Sequence, residues 1–318
     1  MKRLLDVLWR WEPMAHSRWE LVFMRVMVAL LIWDTHSAWV NQLWDPVAVI
    51  KAMAERPFAW DIPFTAQPHP NGLAMWMDVT WVSTAAVEQT LRALTFVSLI
   101  AYVAGVSAAW SLAIPVWFGI LAGTLSNSQG AIGHMTQGLH QVTLGIWMAS
   151  VWWALRSRKG LPLWRGFNRG QCEAEVGRQV LIGGYVVSAV SKLIESKALW
   201  FVNARYVPLH MLKNNEMKYA QSLDPAFLQM EGLSRLMLDH PVICQLLFGV
   251  GLPLELFAFV GLRNRKLAVI IGALLIFFHW SVMQLMSLFF FFNITLLLTF
   301  LVCPWWWLNP RRTAQEAT

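Results

Sequence analysis

From Leu267 to Leu308 the chain carries no aspartate, glutamate, lysine or arginine, and only a short polar interruption around Ser287 divides the run. A water-soluble domain has no means of covering a stretch of that length. A bilayer does, at about 20 apolar residues per helical crossing. The rest of the chain agrees: 57% of its 318 residues are hydrophobic and 14% charged, against about 25% charged in soluble domains. Mean hydropathy is +0.48.

The expected fold is all-α, a polytopic integral membrane helical bundle of about eight transmembrane helices. The expected spans are Glu20–Val40, Glu88–Gly105, Ala108–Leu125, Gly138–Leu155, Gly177–Ile194, Val242–Leu262, Leu267–Met286 and Leu288–Leu308. They form a single membrane domain over 1–318 with two outer loops. The segment Met1–Pro13 is basic and tryptophan-rich, with no small-residue cleavage site after it. The first span therefore reads as an uncleaved helix.

Basic residues set the orientation. Lys2, Arg3, Arg10 and Arg18 precede the first span, and Arg156, Arg158, Lys159, Arg165 and Arg169 follow the fourth. Arg263, Arg265 and Lys266 follow the sixth, and Arg311 and Arg312 follow the last. With eight spans all four groups fall on one side, the cytoplasm by the positive-inside rule. Both termini are then cytoplasmic, and the membrane is expected to be a bacterial inner membrane. The net charge of +7 is a topology signal, and nucleic acid is not an expected partner, since no soluble basic domain is present to hold it. Many of the 20 tryptophans fall at expected span ends, where such residues anchor helices at the interface. Cys172, Cys244 and Cys303 have no spacing that implies a disulfide or a metal.

Two outer loops remain. Residues 41–87 contain five prolines with aromatics between them and read as an ordered cap. Residues 195–241 are expected to hold a short amphipathic helix around Ala226–Leu238, with Phe227, Met230, Leu233 and Met237 on one side. Packing is its expected role; covering a cavity is the sharper one.

Polar residues inside the spans mark candidate sites, because ionisable groups in hydrocarbon are costly and usually functional. Tyr185, Ser188 and Lys192 follow at spacings of three and four, so they share one face of the fifth span. His134, Gln137 and Gln141 share a face at the start of the fourth. His279 and Gln284 lie in the outer half of the seventh, and Glu255 follows Pro253 in the sixth. The topology brings His134, Lys192 and His279 to one depth. Each has a plainer reading. Lys192 can reach the interface or pair with Glu195, His134 can cap a helix, His279 can bond a carbonyl, and Glu255 can neutralise Arg92 or Arg25.

The order HMTQ, LIGGYVVSAVSKLIES, a downstream tryptophan and FFHWSVMQLMSLFFF resembles the transmembrane region of vitamin K-dependent gamma-glutamyl carboxylase and its bacterial homologues, the HTTM-domain proteins. The resemblance is scattered over Ser126–Phe292. It implies that Lys192 is the base that deprotonates a reduced quinone of the vitamin K type. It gives His134 an assisting part in carboxylation and makes a secreted peptide the macromolecular substrate. Val282 stands where the family pattern has an asparagine, and Ser191-Lys192 replaces a tandem lysine. The large lumenal domain of the animal enzymes is expected to be missing.

The functional expectation is a quinol-dependent membrane enzyme or peptide-maturation factor with an outward-facing site. Lys192, His134 and His279 would carry the chemistry there, and Tyr185, Ser188, Gln141, Gln284 and Glu255 would line the quinol or a membrane lipid. The alternative is a non-enzymatic scaffold or partner subunit that holds another protein by its outer loops, with the polar residues as interhelical glue. A transporter fits less well, because no inverted repeat is evident.

Overall fold

The computed structural model describes residues 14–37, 64–129, 136–157, 167–228, 231–286, 288 and 290–308. Among them the regular structure is helical throughout, with no strand. The chain divides into two compact units, one built on Ala15–Val180 with Cys303–Thr318, the other on Leu181–Val302.

The first unit opens with α1 (Arg18–Ser37). A reciprocal cap fixes its start: the Ser17 N–H donates to Glu20 Oε2 at 2.7 Å and the Glu20 N–H to Ser17 Oγ at 3.3 Å. Next come α2 (Ala85–Val103), α3 (Ala108–Asn127) and α4 (Gln137–Ser157). Val28, Ile32, Leu99, Val116, Phe118, Leu139, Val142 and Ile146 are buried in this unit. The first half of α5 (Arg169–Glu195) also belongs here. A Cβ on Gly145 would lie 2.7 Å from Val180 Cγ2, so only glycine lets α4 approach α5 this closely.

The cap expected over 41–87 is packed where the structure describes it, from Phe64 onward. Ala74, Val79 and Leu125 form a small core with Phe64 and Leu121. The His69 N–H donates to the Ser128 carbonyl at 3.0 Å, and the Asn71 N–H to Ser128 Oγ at 3.1 Å. These bonds tie the segment to the end of α3.

In the second unit the rest of α5 leads to α6 (Val207–Ser222), α7 (Glu231–Asp239), α8 (Pro241–Leu256), α9 (Arg265–Met286) and α10 (Phe291–Leu297). A bend of 103° separates α7 from α8. The α8 ladder is interrupted at Val250, where Pro253 has no N–H to offer the Gly249 carbonyl. The core joins Ala204, Met211, Met237, Cys244, Phe248 and Val282.

The amphipathic helix expected around Ala226–Leu238 occupies Glu231–Asp239 instead. It packs: Met237 is in the core, with Leu233 against it. The Pro225–Leu228 part is a separate 3-10 turn, and Met230 lies outside the described residues.

Each of the eight expected spans falls largely on helical residues. By length and composition α2, α3 and α9 can cross a membrane, and α7 with α8 makes a fourth if the bent pair is one span. Two of the others fall short for visible reasons. Glu20, Arg25 and Asp34 sit in α1, and α5 starts at Arg169 rather than Gly177, taking in Glu173, Glu175 and Arg178. Apart from Asp34, these charges are satisfied in pairs and caps, so the helix continues through residues that hydropathy reads as a boundary.

Candidate functional site

Five of the residues singled out from sequence converge in the second unit. Tyr185, Ser188 and Lys192 lie along one face of α5, Glu255 at the end of α8, and His279 in the middle of α9. Lys192 Nζ donates to Glu255 Oε2 at 2.5 Å. The Glu255 side chain is 5% exposed and that of Lys192 29%. The Ser188 hydroxyl is a second side-chain partner of the Glu255 carboxylate. One turn before it on α5, the Tyr185 hydroxyl and His279 Nε2 are 2.8 Å apart, both residues buried. The Asn293 side chain on α10 is a further partner of Tyr185.

Local backbone geometry completes the surroundings of Lys192. After Glu195 the chain turns back through two left-handed residues, Lys197 at φ 52° and Ala198 at φ 64°. The Ala198 N–H donates to the Leu193 carbonyl at 2.8 Å and the Lys197 N–H to Ile194 at 3.1 Å, which closes the helix end. Non-glycine residues in that region carry strain of roughly 1–3 kcal/mol each. The reversal sets the Trp200 ring over Lys192, with Nζ 5.5 Å from the ring centroid. The lysine thus meets a carboxylate on one side and an aromatic face on the other.

The His279 ring is enclosed by aromatics, with Phe290 at 4.7 Å, Tyr185 at 5.5 Å and Phe278 at 5.7 Å between centroids. Among the described residues, three buried polar atoms of this cluster have no hydrogen-bond partner: His279 Nδ1, Trp200 Nε1 and Asn293 Oδ1. Groups of this kind cost free energy when left unmade, and these three leave the cluster with hydrogen-bonding capacity unused.

The arrangement corrects several pairings expected from sequence. Glu255 is neutralised by Lys192. Arg92 pairs within its own helix with Glu88 at 3.1 Å, and Arg25 pairs with Glu173 at 3.2 Å. Glu195, the other partner considered for Lys192, is exposed. Gln284 is also exposed; five positions after His279, it points well round the helix from it. Gln141 is exposed on α4 in the first unit. His134 lies outside the described residues.

Sequence reading missed a second set of charges in the first unit. Glu173 takes Arg25 at 3.2 Å and Arg169 at 3.4 Å, and Arg169 Nη2 also donates to the Gly105 carbonyl at 2.9 Å. Arg178, fully buried, donates to Glu175 at 2.6 and 2.8 Å. The spacing of Glu175 and Arg178 is the signal that could have found it, since residues three apart share a helix face. Asp34 on α1 is buried too, and neither carboxylate oxygen has a hydrogen-bond partner among the described residues. A cavity in this unit, lined by Ile32, Pro115, Val116, Gly119, His140 and Thr143, measures about 10 Å³, the room of about one water. Among the described residues no three His, Cys, Asp or Glu side chains converge to hold a metal ion.

Comparison of the chain with protein-family models, with curated proteins and with solved structures gives no match.

Proposed function

We propose that the chain is a polytopic enzyme of about eight spans in a bacterial inner membrane, with both termini cytoplasmic. Its working centre on this reading is the cluster Lys192, Glu255, Tyr185 and His279. The substrate class is a lipid-soluble quinol of the vitamin K type, and the macromolecule served is a secreted peptide. The observation that carries the reading is the convergence of an ion pair and a tyrosine–histidine pair from three helices on one apolar unit. Chance convergence of four such groups is disfavoured, because intramembrane polar residues are rare and costly.

The residues present fit a quinol on chemical grounds. A ring with two oxygens needs a proton acceptor and a cation at one end and neutral hydrogen-bonding groups elsewhere. Lys192 with Glu255 supplies the first, and the unpartnered atoms of His279, Trp200 and Asn293 supply the second. When bound, the quinol supplies a removable proton and reducing electrons. Lys192 and Glu255 bind and orient its hydroxyl, while the Phe278 and Phe290 rings beside His279 exclude water.

The test is quinol binding to the protein in lipid nanodiscs, read by quenching of tryptophan fluorescence. The double variant Lys192→Met with Glu255→Gln removes both charges and keeps both shapes. At least a tenfold loss of affinity for a reduced naphthoquinone is expected, with unfolding little changed. Equal binding by the double variant, or none by the wild type, refutes the reading.

A further inference from the structure

We infer that the Glu255 carboxylate takes the proton from an acidic hydroxyl at this site, and that Lys192 is the cation that holds the anion left behind. The inference rests on the reading of the cluster as a hydroxyl-binding site and reverses the role that the family resemblance gives to Lys192.

Three observations carry it. First, Lys192 is engaged as a cation on both sides. It donates to Glu255 at 2.5 Å and lies 5.5 Å from the Trp200 ring centroid, and both attractions draw on a positive charge. An ammonium has three N–H donors and no lone pair to accept a proton. Second, Glu255 has capacity left. A carboxylate offers about four lone-pair positions, and Lys192 and Ser188 are its side-chain partners here. Third, access and burial are divided suitably. Lys192 is 29% exposed and can follow an incoming anion, while Glu255, 5% exposed, stays fixed.

The step balances. The substrate O–H bond breaks and an O–H bond forms on Glu255, with no electron transferred. The site begins with one ion pair, Lys192 with Glu255, and ends with another, Lys192 with the substrate oxyanion, so net charge in the apolar unit does not change. That conservation is the physical advantage, since creating an uncompensated charge in such a medium is far more costly than exchanging one anion for another. The Tyr185–His279 pair lies one turn along α5, where the unpartnered His279 Nδ1 can meet a second ring oxygen.

The experiment adds a lipophilic nitrophenol to the protein in nanodiscs and records visible and infrared difference spectra together. In the wild type, bound nitrophenolate is expected to appear together with a new protonated-carboxyl C=O band. In Glu255→Gln that band is absent. Affinity of the wild type is then flat with pH below the phenol's own pKa, because the proton is retained. In Glu255→Gln it rises about tenfold per pH unit, because the proton must go to solvent. Nitrophenolate bound to the wild type without a new carboxyl band shows that the proton goes elsewhere than Glu255 and overturns the inference while the site stands. No nitrophenol binding by the wild type removes the site reading and this inference together. Glu255→Asp guards against misfolding of the glutamine variant: it is expected to keep the carboxyl band at a shifted frequency, and its loss there overturns the assignment.

Discussion

Replacing Lys192 by methionine removes one charge and keeps most of the side chain's length. What remains is the Glu255 carboxylate, 5% exposed and without its cation. Coulomb attraction across the 2.5 Å contact at an effective dielectric of about 20 is roughly 7 kcal/mol, most of which desolvation offsets. Breaking such a pair from one side costs about 3–5 kcal/mol. Because Lys192 is 29% exposed, solvent screening places the expected loss at the low end, about 3 kcal/mol. Glu255→Gln is expected to cost less, about 1–2 kcal/mol, since the stranded lysine reaches solvent and keeps its contact with Trp200. The double variant loses both charges together and should cost about 1 kcal/mol, the lost cation–π contact. A double-mutant cycle on unfolding in mixed detergent, read by tryptophan emission, measures all three. Additive single losses, or a Lys192→Met loss below about 1 kcal/mol, would refute the claim that the pair is buried and coupled.

Further outcomes follow from packing and burial. Gly145→Ala places a Cβ 2.7 Å from Val180 and is expected to cost about 1–3 kcal/mol by overpacking. Gly183→Ala, with nothing within 4 Å of its Cβ, should stabilise by a few tenths of a kcal/mol to about 1 through helix propensity; the same unfolding assay compares them. Gly251→Ala would drive a methyl into the Phe278 ring and should weaken nitrophenol binding as well as stability, because Phe278 adjoins His279. Cys172, Cys244 and Cys303 are all buried, and burial with the charges of Glu173 and Glu175 pushes the Cys172 thiol up to about 11. About a thousandth of it is thiolate at pH 8, so thiol reagents should label none of the three until the protein unfolds, as intact mass spectrometry will show.

The candidate site was legible in the sequence to the extent that local geometry determines it. Tyr185, Ser188 and Lys192 had to share a face because a helix repeats every 3.6 residues. A glutamate after Pro253 and a histidine in a phenylalanine run stood out because the surrounding hydrocarbon makes them costly. Their partners were not legible. Arg25 and Arg92 were the cations expected for Glu255 and Glu195 the carboxylate for Lys192, and only tertiary packing assigns Arg25 to Glu173, Arg92 to Glu88 and Lys192 to Glu255. Gln284 lies apart from the cluster for a simpler reason: closeness in sequence to His279 is not closeness on the helix surface. The charged first half of α5 failed because hydropathy treats every charge as exposed, whereas Arg178 and Glu175 satisfy each other in the interior.

The placement of Glu255 shows how a break in regular structure builds a site. An unbroken helix through 241–256 would need a backbone donor at Pro253, which proline lacks. The interruption falls between Gly249 and Gly251, and both glycines are occupied by aromatic rings where a Cβ would stand. Phe201 fills the space at Gly249 and Phe278 the space at Gly251. Phe201 follows Trp200, the residue over Lys192, and Phe278 precedes His279, the partner of Tyr185. Two ring-into-glycine contacts therefore register the Trp200 segment and α9 against the same broken helix that ends in Glu255. The helix break, the two glycines and the strained reversal at Lys197 and Ala198 act on one set of side chains. Apolar packing alone would favour straight helices with alanine at these positions. The departure from it is concentrated around the four polar groups, which is where a fold gives up local stability for the positioning of a site.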